Sequence, residues 1–309
     1  MRITTANAFD GSIANLQRRQ QELADAQSKL TSGKRVAAAS DDPIAAARAE
    51  RALAAMVRTE AEQRALAASR NVTQLAESAL GDAGELLQQA RELVVNAGNA
   101  SYGDADRATL ADSLAAIRKQ LLAVANRDDG AGNSLFGGQG SEAPPFVDAP
   151  GGVVFRGVDG SKTTASDDRL PLSAEGRRTW LGAVDPETGQ ADLSAFDVLD
   201  RLESELRTPG RSGEAIAQGV TGGLARLDAV MANVSARRAE AGEALARADG
   251  VETRLADTRL AAQTERSDAE DLDMVQAISD FTNHQSSYDA ALKSYSLVQK
   301  LSLFAYLSA

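Results

Sequence analysis

The sequence has no cysteine and a single histidine, His284. Without cysteine there can be no disulfide staple, thiol nucleophile or thiolate metal site. Any Ser–His–Asp set or ordinary histidine metal site would have to use His284. That residue lies beside a heptad seam near the chain's end, where a plain interface or surface role is the simpler reading. Aromatic residues make up only 4% of the 309 residues. A compact globule of this length normally fills its centre with rings. A chain rich in Ala and Leu builds thin helical rods instead, because backbones approach closely and little volume needs filling.

Other absences narrow the partners. No run approaches the roughly 18 apolar residues of a membrane span. The opening Met1-Arg2-Ile3-Thr4-Thr5-Ala6-Asn7 has no apolar core of the Sec signal type. There is no Lys/Arg-rich run, and the net charge is −11. Such a chain is repelled by phosphate backbones and anionic membrane surfaces. A cytosolic chain is therefore expected, unless another export route takes it. The missing cysteines also suit a chain that stays unfolded and uncrosslinked for part of its life.

Signature motifs of enzymes are missing too. Ser32-Gly33-Lys34 is not a phosphate-binding loop, because Ser28 stands where the first glycine belongs. Gly137-Gly138-Gln139-Gly140 lacks the strand–helix context of a nucleotide site. The acidic pairs Asp41-Asp42, Asp128-Asp129 and Asp167-Asp168 lack EF-hand spacing. Neither a catalytic set, a cofactor site nor a metal site is expected. Asn71-Val72-Thr73 and Asn99-Ala100-Ser101 fit the glycosylation acceptor pattern, which is common by chance.

Heptad spacing is present, and it dominates both ends. Ile13, Leu16, Gln20, Leu23, Gln27 and Leu30 step by three and four along one seam of a first helix. Gly33 stands where a helix-ending glycine belongs. Asp42 then suits an N-cap and Pro43 the first helical position, where its missing N–H costs nothing. A long helix over about 43–98 follows, with Gly81 and Gly84 as a candidate bend. A third helix begins near Asp104 or Asp106, with a seam at Leu110, Leu114, Ile117, Leu121 and Val124.

Near Asp128 the composition changes. Glycine and proline crowd together through Gly152, and Val153-Val154-Phe155 is a short strand candidate. Leu170-Pro171-Leu172 is weaker and confined to an edge. Residues 134–199 read as a small β-rich or irregular insertion, anchored by Phe136, Phe146, Phe155, Trp180 and Phe196. Helical signal returns near 195 and runs through Val220, Leu224, Leu227, Met231 and Val234. It continues almost to the end through Met274, Ile278, Phe281, Gln285, Tyr288, Leu292 and Tyr295.

The last two stretches contrast sharply. Residues 249–273 carry acids at Asp249, Glu252, Asp257, Glu265, Asp268, Glu270, Asp271 and Asp273, and should be solvated. Residues 274–309 keep only Asp280, Asp289, Lys293 and Lys300 as full charges, yet hold Phe281, Tyr288, Tyr295, Phe304 and Tyr306. Depleted charge with enriched aromatics is what the centre of a stable interface requires. A terminal core helix of a globular bundle is the bland alternative. Fold class is therefore mainly α, an elongated antiparallel helical rod with paired terminal helices and a small β-rich insertion.

Several stretches resemble the flagellin superfamily and, within it, the FlgL family of hook–filament junction proteins. Leu30-Thr31-Ser32-Gly33-Lys34-Arg35-Val36 with Ser40-Asp41-Asp42-Pro43-Ile44-Ala45-Ala46 is similar to the family's N-terminal pattern. Asp104 to Leu110, Asn126 to Gly138, Asn233 to Gly242 and Tyr288 to Leu307 resemble later parts of it in order. The likeness spans about 1–136 and 200–309; the insertion carries little of it.

The resemblance implies a division into an N-terminal helix of a terminal coiled coil (1–45), rod helices (46–133), the insertion (134–199), a returning rod helix (200–254) and a C-terminal coiled-coil helix (255–309). It implies export through the flagellar type III channel to an extracellular place in the organelle of motility. Members form a ring on the hook-associated protein FlgK, and the flagellin filament grows on them. The chaperone FlgN is expected to shield the C-terminal segment beforehand. Assembly-interface residues are then Ile13, Leu16, Leu23, Leu30, Ile278, Phe281, Tyr288, Leu292, Tyr295, Leu301, Leu303 and Phe304. Gly33, Asp42 and Pro43 form the helix junction. The terminal segments are expected to order as they assemble, since lone amphipathic helices do not repay their ordering entropy. Flagellin itself is the nearest rival, a coiled-coil regulator is more distant, and an enzyme comes last.

Overall fold

The computed structural model describes residues 3–140, 144–165 and 168–307, with side chains described from 10 to 297 within those ranges. Among them are seven helices and one two-stranded sheet. The order is α1 (Ile3–Ser32), α2 (Pro43–Ala97), α3 (Asp104–Ala125), β1 (Phe146–Ala149), β2 (Gly152–Phe155), α4 (Gly176–Trp180), α5 (Ala195–Arg207), α6 (Gly213–Glu270) and α7 (Met274–Leu307). The chain divides into two compact units, 60–255 and the pair of segments 1–59 with 256–309.

The unit 60–255 closes a core of its own. Leu87, Val94, Leu114, Leu121, Leu199, Leu227 and Val230 are fully buried in one continuous cluster drawn from α2, α3, α5 and α6. The α5 helix starts on Ser194, whose hydroxyl accepts from the Asp197 amide, and presents Phe196, Leu199, Leu202 and Leu206 inward. Around that apolar centre, helices are tied by Arg91–Asp228 at 2.8 Å, Arg238–Glu77 at 2.7 Å and Arg127–Asp82 at 2.7 Å. These pairs are well exposed and contribute little each. Burial of the apolar faces does most of the stabilising.

The α2 helix is not interrupted at Gly81 and Gly84. A side chain at Gly81 would sit in ordinary contact with the Arg238 guanidinium, and Gly84 has open space around it. The helix runs through both glycines without a break, because the surrounding turns supply enough hydrogen bonds and packing to carry them.

The insertion is held by its rings. Trp180 meets Phe136 edge-on at 5.3 Å and lies 6.3 Å from Phe196, while Phe146 lies 5.1 Å from Phe155 and 6.2 Å from Phe196. All five expected aromatic anchors thus meet in one cluster. The sheet is a single hairpin, with Phe146 opposite Phe155. Among the other described residues of the insertion only isolated bridges form, such as Thr163 with Pro171. Proline lacks the N–H a ladder needs. Gly138 explains part of the glycine run: its φ is +63°, and a Cβ there would lie 1.9 Å from the Val158 carbonyl oxygen. The Gly137–Gly140 stretch is a packing element.

Candidate assembly surface

The unit formed by 1–59 and 256–309 is built differently. The α1 and α7 helices pack against each other, yet none of their described side chains is fully buried. On α1 the half-buried positions include Leu16, Leu23, Ala26 and Leu30. On α7 they are Ala277, Phe281, His284, Ser287, Tyr288, Ala291 and Tyr295, mostly at heptad steps. His284 sits in this seam, with Nδ1 3.7 Å from a Glu22 carboxylate oxygen of α1.

The expected interface residues therefore fall into groups. Leu16, Leu23 and Leu30, with Phe281, Tyr288 and Tyr295, are half-buried on the two helices that face each other. Ile13, Ile278 and Leu292 are not in that seam: they are 41%, 55% and 41% exposed. Leu301, Leu303 and Phe304 lie on α7, but their side chains are outside the described residues. The seam residues Ala277, His284 and Ala291 escape an apolar-only reading, because alanine and histidine carry little hydrophobic signal.

A second apolar stripe remains on α7. Met274, Val275, Ile278, Leu292 and Leu297 are each at least 41% exposed. Phe281 and Ile278 sit three residues apart, so one helix carries two adjoining apolar faces. Its partner α1 covers only one of them. Burying such residues would favour association by about 25 cal/mol per Å².

Where α1 and α7 begin their pairing, the chain is tightly organised. Gly33 has φ +69° and its amide reaches the Lys29 carbonyl at 2.9 Å, which ends α1 and turns the chain. Asp42 caps α2: its Oδ1 accepts from the amides of Ile44 at 3.1 Å and Ala45 at 3.0 Å, and Pro43 opens the helix. Asp41 accepts from the amides of Ala37 and Ala38 at 3.0 and 2.9 Å. The Ala38 amide, followed by that of Ala37, holds the Asp41 carboxyl below its usual range, and the Ala45 amide does the same to Asp42.

A second break faces the first, and the sequence reading did not foresee it. The expected C-terminal helix over 255–309 is divided: α6 ends at Glu270 and α7 starts at Met274. Asp273 caps α7, accepting from the amides of Val275 at 2.9 Å and Gln276 at 3.2 Å. The Glu270 carbonyl accepts from the amides of Arg35 at 2.7 Å and Val36 at 3.3 Å, and the Leu272 amide donates to the Gly33 carbonyl at 3.0 Å. Lys34 thereby bridges Asp271 in antiparallel fashion. The Glu270 carboxylate is 14% exposed and pairs with Lys34 Nζ at 3.2 Å and Arg266 Nε at 2.7 Å. Arg35 donates to the Ala269 carbonyl at 2.7 Å and pairs with Asp42 at 3.4 Å. Val36 and Ala269 are buried at the centre.

Acidic pairs elsewhere also have local work. Asp128 and Asp129 accept from turn amides of Gly130, Ala131 and Asn133. Asp168 pairs with Arg254, and Asp167 lies outside the described residues. Among the described residues no three His, Cys, Asp or Glu side chains gather as a metal site.

Comparison with known proteins agrees with this architecture. A family profile described as the bacterial flagellin N-terminal helical region matches residues 3–141. A flagellar hook-associated protein 3 of Salmonella typhimurium is 30% identical over 318 residues, covering 98% of this chain and 99% of that protein. Its counterpart in Escherichia coli is 29% identical over 314 residues, with 98% and 99% covered. The crystal structure of flagellar hook associated protein-3 from Legionella pneumophila shares the fold, with a TM-score of 0.63 at 18% identity over 70% of this chain and 97% of that one. Similarity to flagellins is partial or more distant: flagellin E of Vibrio cholerae is 30% identical over 135 residues, 41% of this chain and 34% of that protein, and a flagellin of Listeria innocua is 25% identical over 277 residues, 87% of this chain and 86% of that protein.

Proposed function

The chain belongs to the flagellar hook-associated protein 3 family, and on that premise we propose that it forms the ring between the hook-associated protein FlgK and the flagellin filament. Members of the family are structural components of the bacterial flagellum, and this chain is one of them. The observation that carries the finer reading is the stripe of Met274, Val275, Ile278, Leu292 and Leu297 on α7, left uncovered by α1. An apolar stripe beside an already used seam suits like molecules set side by side, each covering its neighbour's open face.

On this reading the interface residues act in two ways. Leu16, Leu23, Leu30, Phe281, Tyr288 and Tyr295 pair the termini within one molecule. Ile13, Ile278 and Leu292, with Leu301, Leu303 and Phe304, meet neighbouring subunits. Ordering of the terminal helices is completed on assembly, so folding and binding share one driving force. Before assembly the chaperone FlgN covers the open stripe, and the flagellar type III system delivers the chain outside the cell. The matches to flagellins, partial or lower in identity than the full-length match to hook-associated protein 3, favour a junction subunit over a filament subunit.

Deletion of the gene tests the reading. Cells should build hooks of normal length and shed flagellin monomers into the medium. Filaments that stay attached would overturn it. Stoichiometry adds a separate check: the chain should be a trace component at the hook end of purified filaments, not their bulk.

A further inference from the structure

Between α2, α6 and the insertion, wholly inside the unit 60–255, lies an open cleft of about 210 Å³. That is room for about seven waters at roughly 30 Å³ each. Its α6 wall is Arg237, Ala241, Ala244 and Arg247, which recur at steps of three and four along one helix face. Ala76 lines it from α2, and Leu80 and Pro171 add apolar surface. The alanines leave open a space that larger side chains would fill.

The polar groups of this lining are unevenly spent. The hydroxyls of Thr73, Ser173 and Thr179 donate to the carbonyls of Ser69 at 2.8 Å, Gly138 at 2.7 Å and Glu175 at 2.7 Å. Lone pairs remain on them, but no protons. Arg237 gives one nitrogen to Glu240 at 2.6 Å, and its buried Nε has no hydrogen-bond partner among the described residues. Glu175 and Arg247 also line the cleft, and neither has an ion pair among the described residues. The two sit toward different ends of it. Asn233 Nδ2 donates to the carbonyls of Arg178 and Thr179 at 3.0 and 2.9 Å, which places α4, with Glu175 at its start, beside the Arg237 end of the α6 face. Arg247 lies ten residues further along α6, about 15 Å by helix rise.

We propose that this cleft binds a short peptide with free termini, of dipeptide size, laid along α6. Its ammonium group pairs with Glu175 and its carboxylate with Arg247. Its peptide N–H meets the lone pairs of the lining hydroxyls, and its side chains lie against Leu80 and Pro171. An internal segment of a longer chain carries neither terminal charge and would leave both residues unmatched. This site is separate from the assembly surface and does not depend on the junction reading.

Titration of the full-length monomer with alanyl-leucine, followed by amide chemical shifts, tests the proposal. Addition to about 10 mM saturates a millimolar site. Saturable shifts are expected at Thr73, Ser161 and Ala244, and none in α5. N-acetyl-alanyl-leucine and alanyl-leucine amide each lack one terminal charge, and each should bind about fivefold more weakly. E175Q should weaken alanyl-leucine by a similar factor and leave the acetylated form unaffected. R247Q should do the same with respect to the amide form. A244L fills the cleft and should abolish binding. The absence of saturable shifts, equal affinity for either blocked form, or unchanged affinity in either charge variant overturns the proposal. Should A244L fail to fold, the two charge variants decide.

Discussion

In the unit 60–255, Phe136 and Phe196 are 0% exposed and Trp180 is 1% exposed. In α1 and α7 no described side chain is fully buried, although α7 holds Phe281, Tyr288 and Tyr295. The first unit has closed its apolar surface with its own chain. The second has closed one face of a helix that carries two. The same residue types therefore serve different ends, and what separates them is the number of elements available to cover them. Four helices and an insertion surround the core of the first unit. The α7 helix has α1 along its seam, and the stripe beside that seam stays open.

This difference can be probed from its strongest side to its weakest. Trp180→Ala removes a fully buried ring from the closed core, and should cost about 3–5 kcal/mol in denaturant unfolding. Phe281→Ala removes a half-buried ring from the terminal seam. Its cost should be smaller, about 1–2 kcal/mol, and confined to α1 and α7 in an exchange experiment. Ile278→Lys with Leu292→Lys alters only the open stripe. Monomer stability should move by less than about 0.5 kcal/mol, while filament attachment is lost. If that double variant instead unfolds the monomer, the stripe is a core and the contrast between the units fails.

Acidification gives the mildest test. Asp41 and Asp42 have carboxyls held below their ordinary range by nearby backbone amides. A folded value below the unfolded one means the stabilisation is complete above the unfolded value. It is lost as pH falls below the ordinary carboxylate range and through the folded value. Protection of the Ile44 and Ala45 amides, relative to their intrinsic exchange at each pH, should therefore fall in acid before that of the core of 60–255. Asp42→Asn keeps a capping oxygen without a titrating proton, and should flatten that pH dependence. An unchanged acid profile in D42N would assign the effect to other carboxylates.

Much of the architecture was legible because local patterns agree with it. Gly33, Asp42 and Pro43 each suit one backbone position by sterics or hydrogen bonding, and each occupies it. The break at 271–273 was hidden for the opposite reason. Asp273 is one acid among eight in residues 249–273, and a capping carboxylate looks like any other until its helix starts. What makes the break is the docking of 33–36 against the Glu270 carbonyl, a contact between segments far apart in the chain. Arg35 and Glu270 were missed with it, since two charges in separate acidic and basic contexts announce no partner.

By itself the sequence determined that the ends are heptad-patterned helices, that α1 stops at a glycine, and that the last helix carries more apolar surface than one partner can cover. Those features follow from spacing, backbone freedom and composition, which are local properties. Tertiary structure alone decided which stripe of α7 meets α1. Ala277, Phe281, His284 and Tyr288 turn inward while Ile278 and Leu292 stay in solvent. A heptad stripe allows either rotation, and about 100° of helix rotation separates adjacent residues. The packing of α1 against α7 settles which one is taken.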